Sequence, residues 1–384
     1  MTVGMYQAPE LDSRESEVRE EIRALGEQLR HQMATPNRWV GPLRRMTMAR
    51  NVQGSNSIEG INAHLDDVAA IGLGEKPADT TEQTERELAA YQLAMTYVLQ
   101  LAKEPPVEIT PSLVKSLHFM TTSYDMTKWP GRLRNGAVYV EKASTGDIVH
   151  EGADADELPQ LLTSLTTFAS EPGDNLIRAA MTHLNLVLIH PFKDGNGRIS
   201  RIMQALVLAA DGDVAPVFMS VEEYLGAHTQ AYYDVLAKVG QGNWSPESST
   251  PASVRPWIRF MLTAHLNQAK ERVARVEASA RAYGELEELL RPAGLPERTL
   301  EAAYEALLGS TVTRGRYLAA LADGGEEITP QTATRDLTKL TDAGLLVATG
   351  AKRGKRYSAS ESLIAVRRRV GLGRAWNTID PFEI

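Results

Sequence analysis

The residues His190-Pro191-Phe192-Lys193-Asp194-Gly195-Asn196-Gly197-Arg198-Ile199-Ser200-Arg201 carry more chemistry than any other stretch of this chain. His190 brings an imidazole whose unperturbed pKa lies near ~6.5, suited to accepting a proton. Asp194 is a hard oxygen ligand of the kind Mg²⁺ takes beside phosphate. Gly195-Asn196-Gly197 lets the backbone turn its N–H groups toward an anion at a helix start. Arg198 and Arg201, a turn apart on that helix, share a face and can grip phosphate oxygens together. Asn-Gly also favours a β-hairpin. The flanks argue against one, because 177–189 and 202–210 both carry apolar residues at helical spacing. The reading is a helix–loop–helix whose glycines open the second helix, shaped to handle a nucleotide triphosphate.

Position for position, this run matches HPFxDGNGRxxR and so resembles the signature of the Fic family of nucleotidyl transferases. The resemblance implies transfer of AMP from ATP to a Tyr, Thr or Ser hydroxyl of a target protein. Gly197 resembles the AMP-transferring form, whereas the Doc branch has lysine there and transfers phosphate. It also implies roles. His190 would be the base and Phe192 would steady the loop. Asp194 would hold Mg²⁺. The backbone of Gly195, Asn196 and Gly197, with the Asn196 side chain, would cradle the α- and β-phosphates. Arg198 would take the β-phosphate side and Arg201 the γ-phosphate. Ser200 would either add a phosphate hydrogen bond or lie on the helix surface. Tyr232, of the pair Tyr232-Tyr233, is similar to a tyrosine lining the adenine site, a core position being the alternative. Gly240 departs from relatives that carry asparagine. His183 reads as a packed histidine, since no third metal ligand is in view.

A second pattern lies upstream. Ser55-Asn56-Ser57-Ile58-Glu59-Gly60 is similar to the inhibitory (S/T)xxxE(G/N) motif of Fic proteins. A glutamate reaching Arg201 would form a charge-assisted pair with the fork that the γ-phosphate needs. ATP could then enter with its triphosphate wrongly placed for in-line attack. Ser55 is expected to stabilise the helix terminus around Glu59. Some family members with this glutamate also remove AMP, so a hydrolytic role stays open.

Bulk composition agrees with a globular enzyme. The 384 residues suffice for two or three domains, with 43% hydrophobic and 23% charged residues. No cysteine is present, which excludes disulfides, thiolate zinc sites and cysteine nucleophiles. The N-terminus shows no signal-peptide pattern and no apolar run approaches the ~20 residues of a membrane helix. A cytoplasmic protein without membrane partners is expected. Net charge is −8, but residues 295–384 carry +2, leaving −10 for the rest. That segment is the one suited to nucleic acid.

The fold class expected is mainly α: a Fic-type helical bundle with a β-hairpin flap, plus a small C-terminal winged-helix domain. Helices are expected over 11–32, 81–103, 111–127, 157–170, 176–189, 198–210, 222–239 and 254–283. Residues 137–141 and 147–150 read as a strand pair. By the resemblance this hairpin is the flap, and Val138, Tyr139 and Val140 would align a target segment by strand addition. Residues 296–308, 313–322 and 330–343 read as three helices, followed by two strands around a basic turn. Arg335 and Lys339 on the last helix, with Arg353 and Arg356 in the wing, could contact DNA, though many such modules dock proteins instead. The division expected is 1–104 N-terminal helical region, 105–250 catalytic core, 251–294 connecting helix and 295–384 winged helix.

The leading expectation is a Mg²⁺-dependent protein adenylyltransferase restrained by Glu59. The alternatives are a de-adenylylating enzyme, a DNA-binding regulator whose core senses nucleotide, and an enzyme with another donor. The expected partners are ATP and a hydroxyl-bearing target protein, with DNA and a second copy of the chain left open.

Overall fold

The computed structural model describes residues 4–34, 37–141, 146–210, 216–351, 354–373 and 377–383. The chain opens with α1 (Ser13–Ala34), α2 (Val40–Ile58), α3 (Leu65–Gly72), α4 (Glu82–Leu101) and α5 (Pro111–Thr122). The hairpin β1 (Tyr139–Glu141) and β2 (Ile148–Glu151) follows, then α6 (Leu158–Ala169), α7 (Asn175–Ile189) and α8 (Asn196–Ala210). Next come α9 (Pro216–Met219), α10 (Glu222–Ala227), α11 (Thr229–Gly240) and the 40-residue α12 (Pro251–Leu290). The C-terminal part holds α13 (Thr299–Leu308), α14 (Arg314–Asp323), α15 (Pro330–Asp342), β3 (Leu346–Thr349), β4 (Arg356–Ala359) and α16 (Glu361–Val370). The mainly helical class expected from the sequence is what the chain adopts.

Local chemistry sets the helix starts. The hydroxyls of Thr81, Thr110 and Thr250 accept from Thr84, Leu113 and Ser253 N–H groups, and Asp174 accepts from both Leu176 and Ile177. Thr250 and Ser253 form a reciprocal capping box with Pro251 in the first turn, so α12 begins before the expected 254. Two expectations differ from the structure. The helix expected over 222–239 breaks at His228, whose backbone is non-helical, separating α10 from α11. Gly226 there meets Gly54 so closely that a Cβ on Gly226 would stand 2.6 Å from the Gly54 carbonyl oxygen. Helix α16 had no counterpart in the sequence reading.

Two hydrophobic cores result. The first gathers Val18, Ile22, Leu88, Tyr91, Leu184, Phe192, Ile202 and Leu206, with Trp257 and Met261 from the first turns of α12. The second joins Val276, Ala282 and Leu286 of α12 to Tyr304, Leu337, Tyr357 and Leu363. Helix α2 belongs to both. Val52 and Ile58 sit in the first core, while Leu43 and Met46 sit in the second. Polar contacts reinforce the tie: Arg45 pairs with Glu305 at 2.7 Å, and Arg316 of α14 reaches Asp66 and Glu75 at 2.7 Å each. The C-terminal hairpin is antiparallel, pairing Leu346 with Ala359 and Thr349 with Arg356, and Val312 bridges Tyr357 as a third strand position. Helices α13, α14 and α15 precede this hairpin, the order of elements read from the sequence.

Candidate active site

Helices α7 and α8 pack against each other, and the loop between them forms the site. Helix α7 ends at His190, whose φ of 52° is left-handed and turns the chain sharply. Gly195 has φ of 80°, and a Cβ there would sit 2.9 Å from Thr122 Cγ2, so this turn requires glycine. Asn196 staples the loop, accepting from Phe192 N–H and donating to Phe192 O, both at 2.9 Å. Its side chain, expected to cradle phosphate, is therefore committed to the loop; the backbone of α8's first turn remains to meet an anion. Ser200 is fully buried and donates to the Asn196 carbonyl, so it neither lies on the surface nor offers its proton to a phosphate.

His190 Nδ1 lies 3.1 Å from the Val187 carbonyl, which places the proton on Nδ1. Nε2 then carries the lone pair, and it makes no hydrogen bond among the described residues. Burial pushes the imidazole down to about 4, with help from nearby His150 and Arg134, so it is neutral at neutral pH. Arg134 Nε donates to the His190 carbonyl at 2.8 Å and Nη1 donates to Gly136 O at 2.6 Å, tying the flap to the loop.

Asp194 is half exposed at the loop's edge. Burial pushes its carboxyl up, but the Lys128 hydrogen bond at 2.8 Å and the Arg198 charge outweigh this and hold it below the usual range. Arg198 is buried, donates to the Tyr124 hydroxyl at 3.1 Å and leaves Nε without a partner. Arg201 is also buried. Its Nε donates to Ser55 Oγ at 2.6 Å, and Nη2 donates to Ser55 O at 3.0 Å and to Glu59 Oε1 at 2.6 Å. Ser55 thus holds Arg201; the helix-stabilising role expected of it is not what its hydroxyl does. Arg201 Nη1 has no partner, and a Cβ on Gly197 would stand 3.2 Å from it and overlap the Glu59 carboxylate. The carboxylate therefore sits over the N-terminal turn of α8, where the partial positive charge of a helix start favours an anion.

The tyrosine pair divides differently from the expectation. Tyr232 is in the core, its hydroxyl 2.8 Å from His183 Nε2, and His183 Nδ1 faces Gln204. Tyr233 is the exposed member, and its hydroxyl donates to the Ile58 carbonyl at 2.9 Å, beside Glu59. His183 is packed as expected, and no cluster of metal-ligating side chains occurs among the described residues.

The strand pair expected over 137–150 is present. Tyr139 pairs with Glu151 and Val140 with His150, and Tyr139 projects into solvent with Val138 and Val140 half-buried. The outer side of β2 is partly closed, since Glu151 N–H donates to Gly242 O at 2.8 Å. The outer side of β1 meets no other strand among the described residues. On α15, Gln331, Thr334, Arg335, Thr338 and Lys339 form one exposed face. Arg356 of β4 pairs with Thr349 of β3, and Arg353 lies outside the described residues. No helix among the described residues is long and apolar enough to cross a membrane.

Sequence reasoning missed Lys128, Tyr124, Arg134 and His118. His118 stacks on Phe192 with ring centroids 3.7 Å apart, and its Nε2 lies 2.9 Å from the Asp194 carbonyl. None belongs to a motif; each is brought in from α5 or the segment after it.

Residues 108–208 match the Fic/DOC family. Protein adenylyltransferase fic-1 of Caenorhabditis elegans is 31% identical over 143 residues, covering 36% of this chain and 26% of that protein. Protein adenylyltransferase Fic of Nematostella vectensis is 24% identical over 217 residues, covering 55% and 45%. The chain thus spans about a quarter of the first of these relatives and under half of the second. The crystal structure of a Fic family protein from Desulfovibrio desulfuricans superposes with a TM-score of 0.57 at 20% identity, covering 92% of this chain and 98% of that one. At that identity the likeness is one of fold.

Proposed function

Given that residues 108–208 form a Fic/DOC domain, we propose that this chain is a protein adenylyltransferase restrained by its own Glu59. The observation that carries the reading is the His190 imidazole, held through Nδ1 with Nε2 unengaged, in a loop that opens onto two buried arginines. In the transfer, His190 Nε2 accepts the proton of the acceptor hydroxyl. That oxygen forms its bond to the α-phosphorus while the bond to the β-phosphate side breaks, and pyrophosphate leaves. Arg198 and Arg201 offset the charge that gathers on the departing phosphates, and the first-turn N–H groups of α8 meet the α-phosphate side. The target segment adds as a strand to the outer side of β1.

Asp194 is the one loop carboxylate facing solvent, which fits Mg²⁺ held by a single carboxylate together with phosphate oxygens. When bound there, Mg²⁺ would neutralise phosphate charge, and Lys128 would give up its hold on Asp194.

In the resting chain Glu59 fills the anion seat of α8 and occupies Arg201. Incubation with ATP labelled at the α-phosphate tests the reading. Labelled protein is expected from the Glu59→Gly variant and none from Glu59→Gly/His190→Ala. Equal labelling of the two would overturn the assignment of His190.

A second reading concerns the C-terminal unit, residues 295–384 in the division proposed from the sequence. The exposed polar face of α15, with Arg335 and Lys339, favours docking into a DNA groove. A gel shift at low salt, lost on Arg335→Ala/Lys339→Ala, is expected; no shift at any salt concentration would refute it.

A further inference from the structure

An open-mouthed cavity of about 510 Å³ lies between α2, α12 and the segment after α16. It belongs to neither the catalytic loop nor the exposed face of α15. Its wall presents Arg50 of α2, Lys270, Arg275 and Arg281 of α12, and Arg367 of α16, against two carboxylates, Glu223 and Glu271. Apolar surface from Leu43, Met46 and Leu372 completes it.

The counter-charge does not suffice. Glu223 is shared by Arg272 at 3.0 Å, Arg275 at 3.1 Å and Arg50 at 3.7 Å. Glu271 pairs with Arg275, and Lys270 pairs with Glu21 at 2.8 Å. Among the described residues Arg281, exposed at the cavity mouth, meets the Val370 carbonyl at 3.3 Å, and the part-buried Arg367 faces no carboxylate. Three buried atoms beside the wall, Arg272 Nε and Nη1 and Glu271 Oε2, have no hydrogen-bond partner among the described residues. The consequence shows in the guanidinium groups. Burial and then repulsion from Arg275 hold Arg50 down to about 10, and burial lowers Arg272 and Arg367 as well, whereas at Arg275 the charges of Glu223 and Glu271 outweigh burial and raise it, so the deficit lies at Arg50, Arg272 and Arg367. Burying cations without equal counter-charge is costly, and an anion bearing several negative charges would relieve it.

We propose that this cavity binds a phosphate-bearing small molecule, its phosphates among Arg50, Arg275, Arg281 and Arg367 and its remaining body on Leu43, Met46 and Leu372. The volume falls within the ~300–1,000 Å³ usual for small-molecule sites. This site goes beyond the adenylyltransferase reading and does not depend on it.

The test is calorimetric titration of the full chain with inorganic pyrophosphate, without divalent metal. Saturable binding is expected in the wild type and in Arg198→Ala, which alters the catalytic loop alone. It should weaken by at least about ten-fold in Arg281→Ala/Arg367→Ala. Ala274→Glu places a carboxylate on the cavity's exposed wall without removing any cation, and should weaken binding to a similar extent. It keeps the test decisive if the double variant fails to fold. Absence of binding, binding lost only in Arg198→Ala, or wild-type affinity in Ala274→Glu would each overturn the proposal.

Discussion

Replacing Glu59 with glycine removes one carboxylate from a nearly buried guanidinium, and the structure sets the size of the effect. Glu59 Oε1 lies 2.6 Å from Arg201 Nη2, with the arginine side chain 1% exposed and the glutamate 29%. A hydrogen bond to a charged group at such a site contributes about 1.5–3 kcal/mol net, after the larger Coulomb attraction is offset by desolvation. On the proposed reading, ATP must displace that contact before its γ-phosphate can use Arg201. Losing the competitor should therefore raise AMP transfer by roughly ten- to hundred-fold, at about 1.4 kcal/mol per decade. Glu59→Gln keeps a hydrogen-bond acceptor but loses the charge, so it should fall between wild type and Glu59→Gly. The assay is the initial rate of label incorporation from ATP labelled at the α-phosphate, at saturating and subsaturating ATP. A Glu59→Gly rate within two-fold of wild type, in a protein melting as cooperatively as wild type, would refute the reasoning.

Tyr233→Phe removes the hydrogen bond to the Ile58 carbonyl, worth about 1 kcal/mol, and should loosen the end of α2. The same labelling assay should rise about five-fold, and a fall would contradict the idea that this hydrogen bond helps hold Glu59 in place. Asn196→Ala removes both loop bonds to Phe192 and leaves buried backbone groups unpaired; a loss of about 2–3 kcal/mol in denaturant unfolding is expected, with labelling nearly abolished. Because His190 stays neutral down to about 4, transfer by Glu59→Gly should be flat from roughly pH 6 to 8 and decline below about 5; an inflection near 6.5 would remove the burial argument. The same shift has a stability consequence. Burial lowers His190 and His118 to about 4 and His183 and His265 to about 3, so between these values and ~6.5 the unfolded chain binds more protons. The melting temperature should therefore fall by several degrees from pH 7 to 4.5, and a constant value would count against these burials.

The catalytic loop was legible because its neighbours in sequence are its neighbours in space. Glycines, a helix start and paired arginines declare themselves within one turn of each other. Glu59 was legible because a short motif pointed to it, although its contact with Arg201 spans more than a hundred residues. Of the two readings open for Tyr232 the structure has the core one, with Tyr233 exposed; adjacent helix positions face different ways, and only packing against Trp257 and His183 decides which is inside. Lys128 and Arg134 left no trace in the sequence. A lone cation has no periodicity, and its partner is set by tertiary folding. The break at His228 was invisible because no Gly or Pro marks it, and the close approach of nearby Gly226 to Gly54 is a tertiary contact that the local pattern does not carry.

Helix α2 spans both hydrophobic cores, which limits how this protein can be dissected. A fragment ending after α12 would leave Leu43, Met46 and Arg45 facing water where α13 now covers them, while the loop around His190 would be untouched. Such a truncation would lose solubility through the apolar face it uncovers, and any change in its behaviour would not isolate a role of the C-terminal unit. Exchanging the C-terminal unit for a homologous one would likewise need its α13 face to be refitted to α2.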